Sequence, residues 1–130
     1  MKHLAHIFIG ACIASGNAAA ETRSPSQMIC ATIEALDCEV GSSCLKGRPS
    51  EIGAPGFMRI DLEHKTVAGP QRTIPILLIE GNPDSPQMLL QGTETGFGWT
   101  LAVDTKSGTM TASLVNREGA FVLFGSCMPL

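Results

Sequence analysis

Residues 97–127 read FGWTLAVDTKSGTMTASLVNREGAFVLFGSC, and their pattern decides the fold class. Phe97, Trp99, Leu101 and Val103 alternate with Gly98, Thr100, Ala102 and Asp104. A side-chain period of two belongs to a strand with one face buried. Asp104-Thr105-Lys106-Ser107-Gly108 then forms a tight hairpin turn, in which Gly108 is free to take positive φ. Asp104 is placed to hydrogen-bond the turn backbone. Met110, Ala112 and Leu114 alternate with Thr111, Ser113 and Val115, and Asn116 to Gly119 turns again. Ala120 to Cys127 is apolar on both faces: Phe121, Leu123 and Cys127 point one way, Val122 and Phe124 the other. Left at an open edge, such a strand templates aggregation. Pairing it with the first strand buries the edge and closes the sheet.

Working outward, Met28 to Cys38 fits a helix, with Met28, Thr32 and Leu36 at spacing four and Ser26 as N-cap. It fits a strand better. Cys30, Thr32 and Glu34 alternate with Ile29, Ala31, Ile33 and Ala35, and Thr32 and Ile33 are β-branched. Glu39 to Pro55 is a loop of about 17 residues, a length that calls for a function or a staple. Met58, Ile60 and Leu62 alternate with Arg59, Asp61 and Glu63, and Val67 to Pro70 finishes this strand or pairs with it. Thr73 to Glu80 is nearly all apolar, and Pro75 confines that end to an edge or bulge. Gly81 to Pro86 is a turn by composition, and Gln87 to Thr93 a short strand. Seven or eight strands, with turn signals about every 8 to 12 residues, predict an all-β fold: a small antiparallel barrel or sandwich.

The chain has 130 residues, and the first 20 read as a secretory signal peptide. Lys2 gives a positive start, Ile7 to Ser15 is mostly apolar, and Ala18-Ala19-Ala20 is a small-residue cleavage site. Cys12, in Ile9-Gly10-Ala11-Cys12, loosely fits a lipoprotein site, but few residues precede it and His6 interrupts their apolar run. Cleavage after Ala20 leaves 21–130 as one β domain with its core in 28–127, too short for two domains. Export to the periplasm or the exterior follows. The mature part carries 8 basic against 12 acidic residues. That balance excludes the basic stripe of a nucleic-acid binder and docking on anionic lipid. No other stretch is apolar for long enough to span a bilayer.

Four of the five cysteines remain in the mature part, an even number suited to two disulfides in an oxidising compartment. Three pairings exist. Cys38–Cys44 with Cys30–Cys127 is expected, because it staples the long loop and ties the first strand to the last. Cys30–Cys38 with Cys44–Cys127 is the alternative. The chain-entropy account puts a loop of about 100 residues at ~4 to 5 kcal/mol. That is a large share of the ~5 to 15 kcal/mol by which a domain is stable.

Most catalytic chemistry lacks its parts. No Cys-x-x-Cys pair is present, as thiol–disulfide exchange requires, nor the short paired spacings of structural zinc. His64, the one histidine of the mature part, stands in a charged run without a G-x-S-x-G elbow. Asp37 with Glu39, and Asp61 with Glu63, share a strand face at spacing two, which decorates wet faces more often than it makes a carboxylate dyad. The Asp104 to Gly108 turn lacks the alternating oxygen ligands of a calcium loop. No catalytic residue, metal or cofactor is expected.

Two candidate binding features remain. Trp99, the only tryptophan, faces with Phe97 and Leu101 into the core or the wall of a ligand cavity. Lys46-Gly47-Arg48-Pro49, in the stapled loop, presents Lys46 and Arg48 to a partner or simply to solvent. The expected function is therefore non-enzymatic binding of a protein or small molecule. The alternatives are an envelope structural or stress accessory, for which strand Ala120 to Phe124 supplies a subunit contact, and a carboxylate-dependent hydrolase.

Trp99-Thr-Leu-Ala-Val-Asp104, Gly108-Thr-Met110-Thr111-Ala112-Ser113 and the closing Phe124-Gly125-Ser126-Cys127 resemble an uncharacterised family of small exported proteobacterial proteins. The likeness extends to the N-terminal cysteine cluster and to the Pro-Gly-Phe lead into the strand carrying Arg59-Ile60-Asp61. It covers most of the mature part, with the Gly81 to Pro86 turn as the suspected departure. The resemblance implies an exported β-rich domain and implies no activity.

Overall fold

The structure, a computed structural model, describes Gly16 and residues 25–130. Apart from Gly16, the expected leader lies outside the described residues, as do Cys12 and the cleavage position after Ala20. Among the described residues ten strands form in chain order: β1 Gln27–Glu39, β2 Leu45–Gly47, β3 Phe57–Asp61, β4 Thr66–Ala68 and β5 Thr73–Pro75, then β6 Leu78–Glu80, β7 Gln87–Glu94, β8 Phe97–Asp104, β9 Thr109–Asn116 and β10 Gly119–Pro129. They make one antiparallel sheet in which nine follow the order β5-β4-β3-β1-β10-β9-β8-β7-β6, and β2 pairs with β1 off this path. The all-β expectation holds. The strand count exceeds seven or eight for two reasons. The segment Thr73 to Glu80 divides into β5 and β6, and the 39–55 loop contains β2 and a 3-10 turn, Pro49–Ile52.

β5 and β6 stand at the two ends of the sheet order, yet only Ile76 and Leu77 separate them. β5 pairs with β4 and β6 with β7. Between them, Ile76 N donates to Lys65 O and Leu77 N to Gln91 O, each at 2.8 Å. One segment thus touches both ends, and the sheet curls into a half-barrel. Pro75, which has no N–H to donate, sits where the segment changes partners.

β1 and β10 pair from Met28↔Pro129 to Glu39↔Gly119, so the first strand does cover the apolar last one. The register slips between Thr32 and Glu34, leaving Ile33 unpaired as a bulge. An extra residue reverses the alternation beyond it. Cys30 and Ala35, of opposite parity, therefore both point inward and are almost fully buried, while Ile33 is 69% exposed. A single unbroken alternation over Cys30 to Ala35 is corrected by this bulge.

Inward side chains stack in rows across the sheet. Met88, Val103, Met110 and Gly125 form one row. Leu90, Leu101, Ala112, Leu123 and Ala35 form the next, all buried. Gly92, Trp99, Leu114 and Phe121 form a third. Cys30 and Cys127 are directly opposite in register and form a disulfide beyond the first row. Cys38–Cys44 is the second disulfide, at the other end of β1.

Candidate functional site

The first two rows fill the interior, and the third does not. Above it lies a cavity of about 320 Å³, at the small end of the ~300 to 1,000 Å³ range of ligand sites. Met58, Val67, Trp99, Leu101, Ala112 and Leu123, all buried, make its floor and walls. Gly53, Arg72 and Thr95, all exposed, mark its mouth.

Gly92 positions Trp99. The two are cross-strand partners, and the indole lies over the glycine. A Cβ at position 92 would stand 2.6 Å from Cζ2 and 2.7 Å from Cε2 of Trp99, and 2.9 Å from the Pro75 carbonyl oxygen. The absent side chain is thus the space the ring occupies. Trp99 is 8% exposed, and its Nε1 is buried without a hydrogen-bond partner among the described residues. A buried unpaired donor costs about 1 to 3 kcal/mol. Phe97 and Phe121 add a second aromatic wall, with ring centroids 5.9 Å apart.

The mouth carries both charges of the lining. Arg72, in the β4–β5 turn, joins Nε to Glu94 Oε1 at the end of β7. The Glu94 side chain is 16% exposed and that of Arg72 66%. Thr95 and Gly96 join β7 to β8 with φ of 45° and 83°. Two consecutive positive φ values make a type I′ hairpin, a strained position for β-branched Thr95.

The stapled loop supplies the lip, through residues that its sequence did not single out. β2 pairs with β1 at Ala35↔Gly47, Leu36↔Lys46 and Asp37↔Leu45. The 3-10 turn follows, and Ile52, Gly53, Ala54 and Pro55 line the cavity. Thr32 anchors this lip at the bulge: its Oγ1 donates to Pro55 O at 2.6 Å and its N to Gly56 O at 3.0 Å. The apolar Ile52-Gly-Ala-Pro55 run was the available signal, masked by a loop-like composition.

Lys46 and Arg48 are not among the lining residues. Lys46 Nζ pairs with Glu34 at 2.7 Å on an exposed surface. Arg48 caps the 3-10 turn: its N donates to Glu51 Oε2 at 2.8 Å, and its guanidinium lies 3.4 Å from Oε1. The Arg48 backbone N–H, more than its charge, holds the Glu51 carboxyl below its usual value. Both cations therefore have structural employment, and Trp99 alone of the candidate binding residues reaches the cavity.

His64 lies in the β3–β4 turn with its side chain 73% exposed. Its N donates to Asp61 Oδ1 and its Nδ1 faces Oδ2, each at 2.9 Å. The backbone N–H and then the ring lower the Asp61 pKa; the ring's hydrogen bond to Asp61 raises that of His64. Asp104 Oδ1 accepts from Lys106 N and Ser107 N at 2.9 Å each, the turn role expected of it, and these N–H groups lower its pKa. Among the described residues no cluster of three or more His, Cys, Asp or Glu could hold a metal, and no helix is long and apolar enough to cross a membrane.

Fold and site together define a class: an antiparallel half-barrel, tied by two disulfides, with a small apolar cavity under a charged rim. No family model, curated protein or solved structure matches the chain.

Proposed function

We propose that this protein is an exported, non-enzymatic binder of a small apolar ligand. The observation that carries this reading is the cavity of about 320 Å³ above Trp99, walled by aliphatic and aromatic side chains and opening between Gly53, Arg72 and Thr95. Concave, mostly apolar sites with a few polar groups are the common form of small-molecule sites. The two disulfides fit an oxidising compartment, the periplasm or the exterior, with a leader removed after Ala20. The resemblance to small exported proteobacterial proteins belongs to the same proposal. Binding is favoured over catalysis because His64, which pairs with Asp61, is exposed in a turn outside the cavity, and Glu94, the one carboxylate of the lining, is held by Arg72.

Titration with a neutral naphthylamine dye tests the reading. Saturable dye binding is expected, and Ala112→Leu, which extends a floor residue into the cavity, weakens it while the protein stays folded by circular dichroism. Dye binding that is unsaturable, or indifferent to Ala112→Leu, contradicts the proposal.

A protein partner is the second reading, and one observation favours it. Ile33, Phe57, Phe124 and Met128 are exposed on the outer face of adjacent strands β3, β1 and β10. Contiguous exposed apolar surface marks interaction sites. Under this reading the paired change Phe57→Ser and Phe124→Ser abolishes the interaction and leaves dye binding intact.

A further inference from the structure

Both charges of the cavity lining stand at its rim. Arg72 and Glu94 are the two ionisable residues of the lining, and they are joined to each other. Everything beneath them is apolar except the glycine backbone, Thr95 at the mouth and the unpartnered Nε1 of Trp99. An ion pair presents a donor and an acceptor side by side while its net charge is zero.

Resting on the ligand-binding reading above, we propose that the occupant is a short, uncharged amphiphile, with an alkyl or ring body in the cavity and an alcohol or amide head at the Arg72–Glu94 pair. A head that both donates and accepts satisfies the guanidinium and the carboxylate without separating them. A carboxylate head is drawn to Arg72 but repelled by Glu94, and an ammonium head meets the reverse. Each ion gains fully only by displacing one partner and leaving a partly buried charge unpaired, which is costly. Glu94, at 16% exposure, is the charge that loses most by such a displacement. Size sets the body. At ~30 Å³ per water-sized group, the cavity holds on the order of ten heavy atoms. A short chain or single ring fits, and the acyl tails of a membrane lipid do not.

Trp99 makes the test direct. It is the single tryptophan, and the chain has no tyrosine, so its emission reports the cavity wall. The protein is titrated at neutral pH with octanol, octanamide, octanoate and octylammonium. Octanol and octanamide are expected to saturate the emission change at concentrations about tenfold lower than either ion. Arg72→Met leaves Glu94 unpaired and moves octylammonium to the front of the order. Glu94→Gln frees Arg72 and moves octanoate there. Either ion binding the unaltered protein as tightly as octanol overturns the proposal, and so does a rank order that both variants leave unchanged. If none of the four compounds binds while the naphthylamine dye does, this proposal falls and the ligand-binding reading stands; if the dye fails as well, both fall.

Discussion

At the scale of single residues, Gly92 and Trp99 make the site. The alternation of Phe97 to Val103 puts Trp99 on the inner face, with core packing as the default reading and a cavity wall as the alternative. Trp99 does both: it packs in the buried core and lines the cavity above it. The sequence around Gly92 predicts only a short strand, because a glycine in a strand gives no sign of which neighbour fills its place. Gly92→Ala is expected to destabilise the protein by about 1 to 3 kcal/mol, since the new methyl must displace either the indole or the Pro75 backbone. Urea unfolding measures the loss, and the Trp99 emission maximum shifts with it. A change of stability within experimental error, with emission unchanged, means that the ring does not lie over position 92.

His64 offers a separate residue-scale check. Its hydrogen bond to Asp61 raises its pKa above the ordinary imidazole value of about 6.5. The His64 contribution is fully present below that ordinary value and is lost as pH rises through the raised folded one. The Asp61 contribution is present above the ordinary carboxylate value and is lost as pH falls through its lowered folded one. The pair acts between those limits, and the exposure of His64 keeps the effect on stability small. A proton NMR titration of His64 is expected to show a midpoint above that of a free histidine, and Asp61→Asn returns it toward the ordinary value. Equal midpoints in both proteins contradict the bond.

At the scale of elements, strands whose alternation runs unbroken were legible, and those that change partner or phase were not. β8, β9 and the two turns between β8 and β10 follow the sequence pattern nearly residue for residue. Asp104 caps its turn, and Asn116 Oδ1 accepts from Glu118 N and Gly119 N at the next. β1 was legible as a strand, but its bulge was hidden, because Ile33 is as apolar as a core residue and nothing local marks it as unpaired. The break in 73–80 was half visible in Pro75, which announced an irregularity without saying that two partners share the segment. The stapled loop was recognised as unusual for its length. Its conspicuous charges, Lys46 and Arg48, pair with Glu34 and Glu51, while the lip is the apolar run from Ile52 to Pro55.

At the scale of the whole molecule, the two disulfides hold different things. Cys30–Cys127 joins residues 97 apart, at the end of the sheet beyond the filled rows, and ties the first strand to the last. Cys38–Cys44 spans 6 residues and fixes the start of the loop that carries the lip. Loop-closure entropy gives the long link about 4 to 5 kcal/mol and the short one about 2 kcal/mol. Replacing Cys30 and Cys127 together by alanine is therefore expected to lower stability more than replacing Cys38 and Cys44, as read from urea midpoints. The second change is expected to cost about 2 kcal/mol and, in the still-folded protein, to weaken ligand binding by loosening the lip. The opposite ranking contradicts this division of labour.

The central claim is that the unfilled third row of the half-barrel is a ligand site. Methyl NMR tests it most directly, with octanol as the titrant and residue-resolved signals as the readout. Saturable shifts are predicted for the methyls of Ala112, Leu114 and Leu123, which line the cavity, with Ile33, Val115 and Met128 on the exposed surface unmoved. Shifts confined to Ile33 and Met128, or no shift at any of these positions, would contradict it.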